Sequence, residues 1–276
     1  MRAALLQLNS GDDPAANLPR TEALIDAAVG QGAGFVLTPE VTNCVSSSRA
    51  RQQDVLQRQE EDITLAALRA KAAAHGIWLL IGSLALKTQD ADGRFANRSF
   101  LIAPDGAIVA WYDKIHMFDV TVSETESYRE SAGYRPGDRM VLADTSFASV
   151  GLTICYDLRF PHLFRQLARR GAQVITVPSA FSPVTGAAHW ESMLRARAIE
   201  TGAYILAPAQ AGTHQATTGK PRTTYGHSLA VSPWGDVLAN GGTGEGVVTI
   251  ELDLTQVEIA RARIPAMTND TTFDGP

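Results

Sequence analysis

Cysteine is scarce in this chain, and its spacing restricts what it can do. Cys44 and Cys155 are the two thiols among 276 residues. They match neither a disulfide framework nor the paired-thiol pattern of a zinc site. No other cluster of metal-ligand residues stands out in the sequence, so we expect no metal and no organic cofactor. We expect the protein to work in a reducing cytoplasm, where an isolated thiol stays free and can react.

Long apolar runs and clusters of positive charge are also missing. No segment approaches about 18 uninterrupted apolar residues, so the sequence predicts no transmembrane helix and no membrane partner. Residues 1–9 are too short and too soon polar to resemble a signal peptide. The 24 basic and 29 acidic residues give a net charge of −5. Because no Lys/Arg run stands out, nothing in the charge pattern supports a nucleic-acid partner.

The composition that remains is that of an ordinary globular protein, with 45% hydrophobic and 19% charged residues. Apolar runs predict strands, and amphipathic stretches predict helices. We predict strands at 3–8, 34–38, 77–82, 149–154, 174–177, 204–209 and 247–253, hairpins over 98–112 and 228–240, and helices at 18–29, 63–74, 161–170, 189–201 and 254–263. This order predicts one α/β domain over residues 1–276, with a long loop at 114–140 and a loose tail at 266–276.

Cys155 follows a predicted strand and precedes a helix that begins at Pro161. Open α/β sheets place reactive groups at the carboxyl ends of their strands. A helix N-terminus beside the thiol would lower its pKa and favour the thiolate. The competing interpretation is a buried, inert cysteine, because free cysteines are among the most buried residues.

Two charged residues stand at the ends of other apolar segments. Glu40 follows the run 34–38, and burial there would raise the pKa of its carboxyl toward the working range of a general base. Lys114 follows an apolar and aromatic stretch, where a partly buried cation could stabilise an oxyanion or a thiolate. The alternatives are a solvated carboxylate at a loop start and a surface lysine whose stem packs on apolar neighbours.

Histidines offer a different catalytic partner for the thiol, since a Cys–His pair is the common arrangement in thiol hydrolases. His116, His162, His189 and His227 are all candidates, although none lies in a recognisable motif.

The ordered segments resemble the nitrilase superfamily of carbon–nitrogen hydrolases. Glu40, Lys114 and Cys155 occur in that family's order, 74 and 41 residues apart. The matching segments are 39–40, 112–116, 129–131, 136–138, 154–161, 178–181, 189–191, 195–200, 225–228 and 233–235. The resemblance implies a four-layer α-β-β-α sandwich and a chain that self-associates, at least as a dimer.

The resemblance also implies roles for individual residues. Cys155 would be the nucleophile, Glu40 the general base and then acid, and Lys114 the oxyanion stabiliser. Glu130 matches the family's supporting glutamate, and the backbone N–H of Tyr156 would complete the oxyanion hole. These roles fit amide hydrolysis, which needs an attacking sulfur, charge stabilisation and a proton for the departing ammonia.

Within the superfamily, residues 209–214 are similar to the branch that repairs deaminated glutathione. His162 departs from that branch, where an acidic residue is expected. The nearest alternative is the omega-amidase branch, which acts on 2-oxo acid amides, whereas nitrile hydrolysis is less favoured. An acyltransferase that uses the same thioester, and a binding protein that keeps the fold without turnover, are further alternatives.

We expect the substrate to be a small amide that carries a carboxylate remote from the scissile bond. Arg159 and Arg222 are the candidates to bind that carboxylate, because a guanidinium can grip it through two hydrogen bonds. Ser179 and Phe181 are further candidates for substrate contacts. Arg195 and Arg197 have a structural alternative, which is pairing with glutamates on their own helix.

Overall fold

The computed structural model describes residues 1–122, 124, 127–269, 271–272 and 274. The described residues form six α-helices: α1 (Pro14–Gly30), α2 (Arg49–Val55), α3 (Ile63–His75), α4 (Pro161–Arg169), α5 (Pro183–Thr201) and α6 (Thr255–Arg263). Two short 3₁₀ helices cover Glu130–Ala132 and Cys155–Arg159.

The strands are β1 (Arg2–Gln7), β2 (Phe35–Leu37), β3 (Trp78–Leu86), β4 (Ala96–Ile102), β5 (Ile108–Asp113), β6 (Asp119–Thr121), β7 (Ser127–Arg129), β8 (Val141–Asp144), β9 (Ser149–Leu152), β10 (Val174–Thr176), β11 (Tyr204–Ala207), β12 (Ala211–Thr213), β13 (Thr223–Tyr225), β14 (Leu229–Val231), β15 (Val237–Asn240) and β16 (Gly246–Glu251). Twelve of them form two six-stranded sheets, in the orders β16-β1-β2-β3-β4-β5 and β15-β14-β11-β10-β9-β8. Each sheet has three parallel strands at its centre, β1-β2-β3 in the first and β9-β10-β11 in the second.

The two sheets pack face to face, and helices cover their outer faces. Along β1 the side chains alternate: Ala3 and Leu5 join the cluster shared with the second sheet, while Ala4 and Leu6 face α1 and α3. This alternation is what a strand buried on both faces requires. Helices α4 and α5 pack on the outer face of the second sheet. The result is the four-layer α-β-β-α sandwich predicted from the sequence.

Local signals explain where α3 begins and ends. Asp62 precedes the helix, and its side chain accepts a hydrogen bond from the Leu65 N–H at 2.8 Å, which caps one of the unpaired donors of the first turn. Gly76 ends the helix in the left-handed conformation with φ +64°, which glycine adopts without steric cost. The prediction of a helix at 63–74 is therefore confirmed to within one residue.

Other predicted elements differ from the structure. Helix α5 begins at Pro183 and not at 189, because Ser182-Pro183 starts it six residues earlier. The predicted loop at 114–140 contains the hairpin β6–β7 and a 3₁₀ turn. Within the predicted loose tail 266–276, residues 270, 273, 275 and 276 lie outside the described residues, as do residues 123, 125 and 126 of the loop.

Candidate active site

Three strand ends from two sheets bring the predicted catalytic residues together. Glu40 follows β2 and Lys114 follows β5 in the first sheet, while Cys155 follows β9 in the second. Strands β2, β3 and β5 run in the same direction, so their carboxyl ends meet at one edge. Tight packing holds the Glu40 segment there, because a Cβ on Gly82 of β3 would lie 1.9 Å from the Thr38 carbonyl oxygen.

Lys114 is the centre of a buried ion cluster. Its Nζ donates to Glu40 Oε1 at 2.9 Å and to both oxygens of Glu130 at 2.9 and 2.8 Å. Lys114 is 2% exposed and Glu40 is 4% exposed. A single lysine therefore holds two carboxylates in a region of low dielectric, where charge pairs interact strongly and unpaired charges are costly.

Two groups besides Lys114 hold the Glu40 carboxylate in place. The backbone N–H of Ala180 donates to Oε2 at 2.9 Å, and Asn97 Nδ2 donates to Oε1 at 2.9 Å. Asn97 Nδ2 also lies 3.4 Å from Glu130 Oε1, so this amide bridges both glutamates. Sequence reasoning missed Asn97, which lies in β4 outside the motifs that pointed to the other side chains.

Cys155 adopts an unusual backbone conformation. Its φ is +49°, a region that side-chain-bearing residues avoid unless the surrounding structure enforces it. The Cys155 N–H donates to the Pro178 carbonyl at 3.0 Å. The segment that follows is a five-residue 3₁₀ helix and not the start of a longer α-helix. The helix predicted to begin at Pro161 is α4, so its N-terminus lies six residues after Cys155.

The pKa values of the thiol and of its base differ from the expectations in direction. Burial and the Glu40 charge raise the pKa of the Cys155 thiol, and Lys114 offsets only part of this. Burial also acts to raise the pKa of Glu40, but the charges of Lys114 and Arg222 outweigh it, so the pKa lies below its ordinary value. The two groups thus act on each other's pKa: Cys155 contributes to lowering the pKa of Glu40, and Glu40 contributes to raising that of Cys155. At neutral pH this pair rests as an ionised carboxylate beside a protonated thiol.

The same electrostatics keep Lys114 charged. Burial acts to lower the pKa of its ammonium group, but Glu130 and Glu40 overcome that effect and hold the pKa well above its ordinary value. A permanent positive charge beside the thiol can stabilise negative charge that develops on a reacting oxygen.

These groups form one wall of a cavity of about 780 Å³. Aromatic side chains from several segments line it, namely Phe118, Tyr128, Tyr134, Tyr156 and Phe181. Basic side chains also line it, namely Arg49, Arg129, Lys220 and Arg222. A concave, mainly apolar space with a few charged groups is typical of a small-molecule site.

Comparison with known proteins agrees with this geometry. The model of the carbon–nitrogen hydrolase family matches residues 2–262. The chain belongs to the carbon–nitrogen hydrolase family. It is 37% identical over 265 residues to a deaminated glutathione amidase of Yersinia enterocolitica, covering 96% of this chain and 91% of the relative. It is 35% identical over 264 residues to the human omega-amidase NIT2, covering 96% and 92%.

Solved structures confirm the fold of this carbon–nitrogen hydrolase. The C. elegans NitFhit protein superposes with a TM-score of 0.89 at 34% identity, covering 98% of this chain and 64% of that longer one. Saccharomyces cerevisiae Nit3, a member of branch 10 of the nitrilase superfamily, gives a TM-score of 0.85 at 29% identity, covering 98% and 96%. The resemblance inferred from the sequence motifs is thereby confirmed.

Some of the residues predicted to contact the substrate of this hydrolase line the cavity, and others do not. Tyr156, Phe181 and Arg222 line the cavity. Ser179 is fully buried, is not part of the cavity lining, and its hydroxyl donates to the Val177 carbonyl at 2.9 Å. Arg159 also lies outside the lining, with its guanidinium 3.3 Å from His189 Nδ1.

None of the four candidate histidines lines the cavity. His116 contacts Asp157, His162 packs edge-on against His116 and Phe160, and His227 stacks on Tyr225. His189 lies in the middle of α5 and does not begin it. The geometry therefore favours Glu40 over a histidine as the partner of the thiol.

Among the described residues, no group of three or more His, Cys, Asp or Glu side chains is arranged to hold a metal ion. None of the described helices combines the length and apolar character needed to span a bilayer.

Proposed function

We propose that this chain is an amidase that uses Cys155 as its nucleophile, Glu40 as its proton carrier and Lys114 as its oxyanion stabiliser. One observation carries the proposal: the Cys155 thiol, the Glu40 carboxylate and the Lys114 ammonium group line one cavity, and the ammonium group donates to the carboxylate at 2.9 Å. The relatives named as amidases support the reaction class.

In the first step, Cys155 attacks the amide carbonyl carbon as its proton passes to Glu40. The resting pKa values make thiolate formation in advance unfavourable, so proton transfer accompanies attack. The carbonyl oxygen takes the electron pair and is stabilised by Lys114 and the backbone N–H of Tyr156. When the tetrahedral species collapses, the C–N bond breaks and Glu40 returns the proton to the departing ammonia.

In the second step, a thioester on Cys155 is hydrolysed. Water attacks the acyl carbon, Glu40 accepts a proton from the water, and the C–S bond breaks. The carboxylic acid leaves and the sulfur recovers its proton. Glu130 supports both steps by holding the Lys114 ammonium through two hydrogen bonds.

The proposed substrate is a small amide that carries a remote carboxylate, and deaminated glutathione is the leading candidate. The first support is the set of relatives named deaminated glutathione amidase. The second is Arg222, which lines the cavity while one of its nitrogens donates to the Ala180 carbonyl at 2.7 Å. The human relative named omega-amidase keeps 2-oxo acid amides as the second candidate class.

Ammonia release from a panel of amides tests the proposal. The panel contains deaminated glutathione, a 2-oxo acid amide and a neutral aliphatic amide, and each product is identified by mass spectrometry. Equimolar ammonia and acid support hydrolysis. Acyl transfer to an added amine without acid formation would instead indicate an acyltransferase. No turnover of any amide would favour a binding protein.

We also propose that the chain self-associates, at least as a dimer, in the cytoplasm. Exposed apolar side chains support association: Ile199, Trp234 and Ile264 are 55%, 48% and 57% exposed around one shallow cavity. Two free cysteines support a reducing compartment. Light scattering that gives the mass of one chain at micromolar concentration would contradict the dimer, and cell fractionation tests the compartment.

A further inference from the structure

A buried hydrogen-bond network converges on one carboxyl group next to the site. Asp157 is 0% exposed. Its Oδ2 accepts from Tyr112 Oη at 2.7 Å and from the Ile154 N–H at 2.9 Å. Its Oδ1 accepts from the His116 N–H at 3.1 Å and lies 2.6 Å from His116 Nδ1. All of the hydrogen-bonding capacity of a buried carboxyl group is thus directed at two short segments.

Those two segments carry the proposed catalytic lysine and cysteine. Tyr112 and His116 stand two residues on either side of Lys114. Ile154 precedes Cys155, and Asp157 follows it by two residues. One carboxyl group therefore joins the chain on both sides of Lys114 to the chain on both sides of Cys155.

The backbone bonds of Lys114 itself do not make this connection. Its N–H donates to the Asn97 carbonyl at 3.0 Å, and its carbonyl accepts from the Gly137 N–H at 2.7 Å. These bonds hold Lys114 to its own sheet and to the loop that follows. Cys155 is bonded in turn to the segment after β10 in the other sheet, at Pro178. The Asp157 network crosses between the two sheets.

Ring packing fixes the histidine of the network. His116 stacks on Phe160 with ring centroids 3.5 Å apart and planes 7° apart. Phe160 belongs to the same segment as Asp157, so the stack holds the imidazole with Nδ1 at the carboxylate. Tyr112 is held as well, since its oxygen accepts from the Ile115 N–H at 3.3 Å.

We propose that Asp157, with Tyr112 and His116, positions Lys114 against Cys155, so that the ammonium group meets the oxyanion formed when the sulfur attacks. This inference rests on the proposed amidase function. The left-handed backbone at Cys155 costs energy and persists only where neighbouring contacts over-determine it. A displacement of about 1 Å between reacting groups can cost roughly 100-fold in rate. Asp157, Tyr112 and His116 are thus positioning residues for this reaction.

The structure offers a matched pair of tyrosines for the test. Tyr112 and Tyr204 are 0% and 3% exposed. Each hydroxyl donates one hydrogen bond and accepts one from a backbone N–H. Tyr204 bonds Asp253, away from the cavity. Tyr112→Phe and Tyr204→Phe each remove a hydroxyl that donates one hydrogen bond, to a carboxylate in Tyr112 and to a backbone carbonyl in Tyr204, but Tyr112→Phe alone affects the network.

The experiment measures kcat, KM and Tm for both variants on the amide that the wild type hydrolyses. Rates are normalised to the fraction of enzyme that iodoacetamide labels at Cys155. We expect Tyr112→Phe to lower kcat roughly 10- to 100-fold with KM nearly unchanged, while Tyr204→Phe keeps the wild-type kcat. Equal kcat for Tyr112→Phe and wild type, or an equal fall in both variants, would overturn the inference.

A second variant checks that the carboxyl group is the shared centre. We expect Asp157→Asn to lower kcat at least as far as Tyr112→Phe, and the double variant to lose little more, because both changes act through one group. Fully additive losses would contradict this. An inactive wild type would instead contradict the proposed amidase function, so the two failures are distinguishable.

Discussion

Lys114 carries one positive charge against two carboxylates in a buried part of the site. Its side chain cannot be neutralised by deprotonation near neutral pH, because Glu130 and Glu40 hold the pKa of its ammonium group high against the effect of burial. The lysine therefore balances the charge of the two carboxylates, and in the proposed mechanism it also stabilises the oxyanion. Its loss affects catalysis and folding together.

Lys114→Met tests both effects. We expect kcat to fall by about 10² to 10³, as for the loss of other oxyanion stabilisers. We also expect the free energy of unfolding to fall, since the buried carboxylate of Glu40 and the partly buried carboxylate of Glu130 lose their cation. Lys71→Met is the control, because Lys71 pairs with Asp26 at the surface. Ammonia release and urea unfolding of both variants give the comparison, and a fully active Lys114→Met would contradict the assigned role.

Arg222 and Arg159 have different surroundings, although both were predicted to bind a carboxylate. Arg222 lines the cavity, whereas Arg159 lies outside the lining and packs beside Phe181 and His189. We expect wild type to prefer an anionic amide over its neutral methyl ester by about 10-fold or more in kcat/KM, since a charge-assisted hydrogen bond contributes about 1.5–3 kcal/mol.

The two arginine variants test that preference. Arg222→Met should erase it, and Arg159→Met should keep it. The measurement is kcat/KM for both amides in three proteins. Equal rates for the anionic and neutral amides in wild type would show that no carboxylate is recognised. A lost preference in Arg159→Met would transfer the role to that residue.

At the scale of elements, long periodic segments were predictable, and so were short apolar strands such as β2 and β10, whereas short polar strands were not. Helix α4 was predicted at 161–170 and spans Pro161–Arg169, since Pro at its start and a clear apolar face mark it. The three-residue strands β6, β7, β12 and β13 are too short to show a period. Helix α5 was predicted too short because Gly186 interrupts its pattern. That glycine lets Tyr225 pack against the helix, and a Cβ there would lie 2.3 Å from the Tyr225 ring.

The residues of the site were also predicted only in part. The sequence motifs predicted that Glu40, Lys114, Glu130 and Cys155 belong to one site. The structure brings these four side chains together. Asn97 was not predicted, because its role depends on two glutamates that approach it from distant segments of the chain. The directions of the pKa shifts of Glu40 and Cys155 were not predicted either, because they depend on how Glu40, Lys114 and Arg222 are placed in the buried site.

At the scale of the whole molecule, one histidine couples folding to pH. His214 is 1% exposed and lies 2.8 Å from the Ser10 carbonyl and 2.7 Å from the Thr224 hydroxyl. Burial and the nearby Arg222 lower the pKa of its imidazole to about 4. The unfolded chain thus binds a proton at a higher pH than the folded chain does. The contribution of neutral His214 to the free energy of unfolding is complete above about pH 6.5 and is lost as pH falls toward 4.

Unfolding in urea at pH 7.5 and pH 5.0 checks this linkage. We expect the free energy of unfolding to fall by about 2 kcal/mol more in wild type than in His214→Gln between pH 7.5 and pH 5.0, because the variant has no imidazole to protonate. Wild type and variant losing equal amounts would show that other groups govern the acid sensitivity.

We assign the reaction to Cys155 and not to Cys44. The comparison is demanding, because Cys44 also lines the cavity. The pKa does not separate the two thiols, because burial and a carboxylate raise it in both, to about 12 in Cys44. Their surroundings do differ: Cys44 packs with apolar residues such as Val41 and Phe95, whereas Glu40 and Lys114 are the charges that act on the Cys155 thiol. The position of each thiol relative to Glu40 and Lys114 therefore distinguishes the proposed nucleophile, Cys155, from a buried packing residue, Cys44.

The most direct test measures ammonia release by Cys155→Ala and Cys44→Ala side by side, on the amide that wild type hydrolyses. We expect the turnover rate of Cys155→Ala to fall by at least about 10³-fold while the variant keeps the circular dichroism spectrum and Tm of the folded protein. We expect Cys44→Ala to keep the wild-type rate. Turnover that survives in Cys155→Ala and is lost in Cys44→Ala would contradict the assignment of Cys155 as the nucleophile.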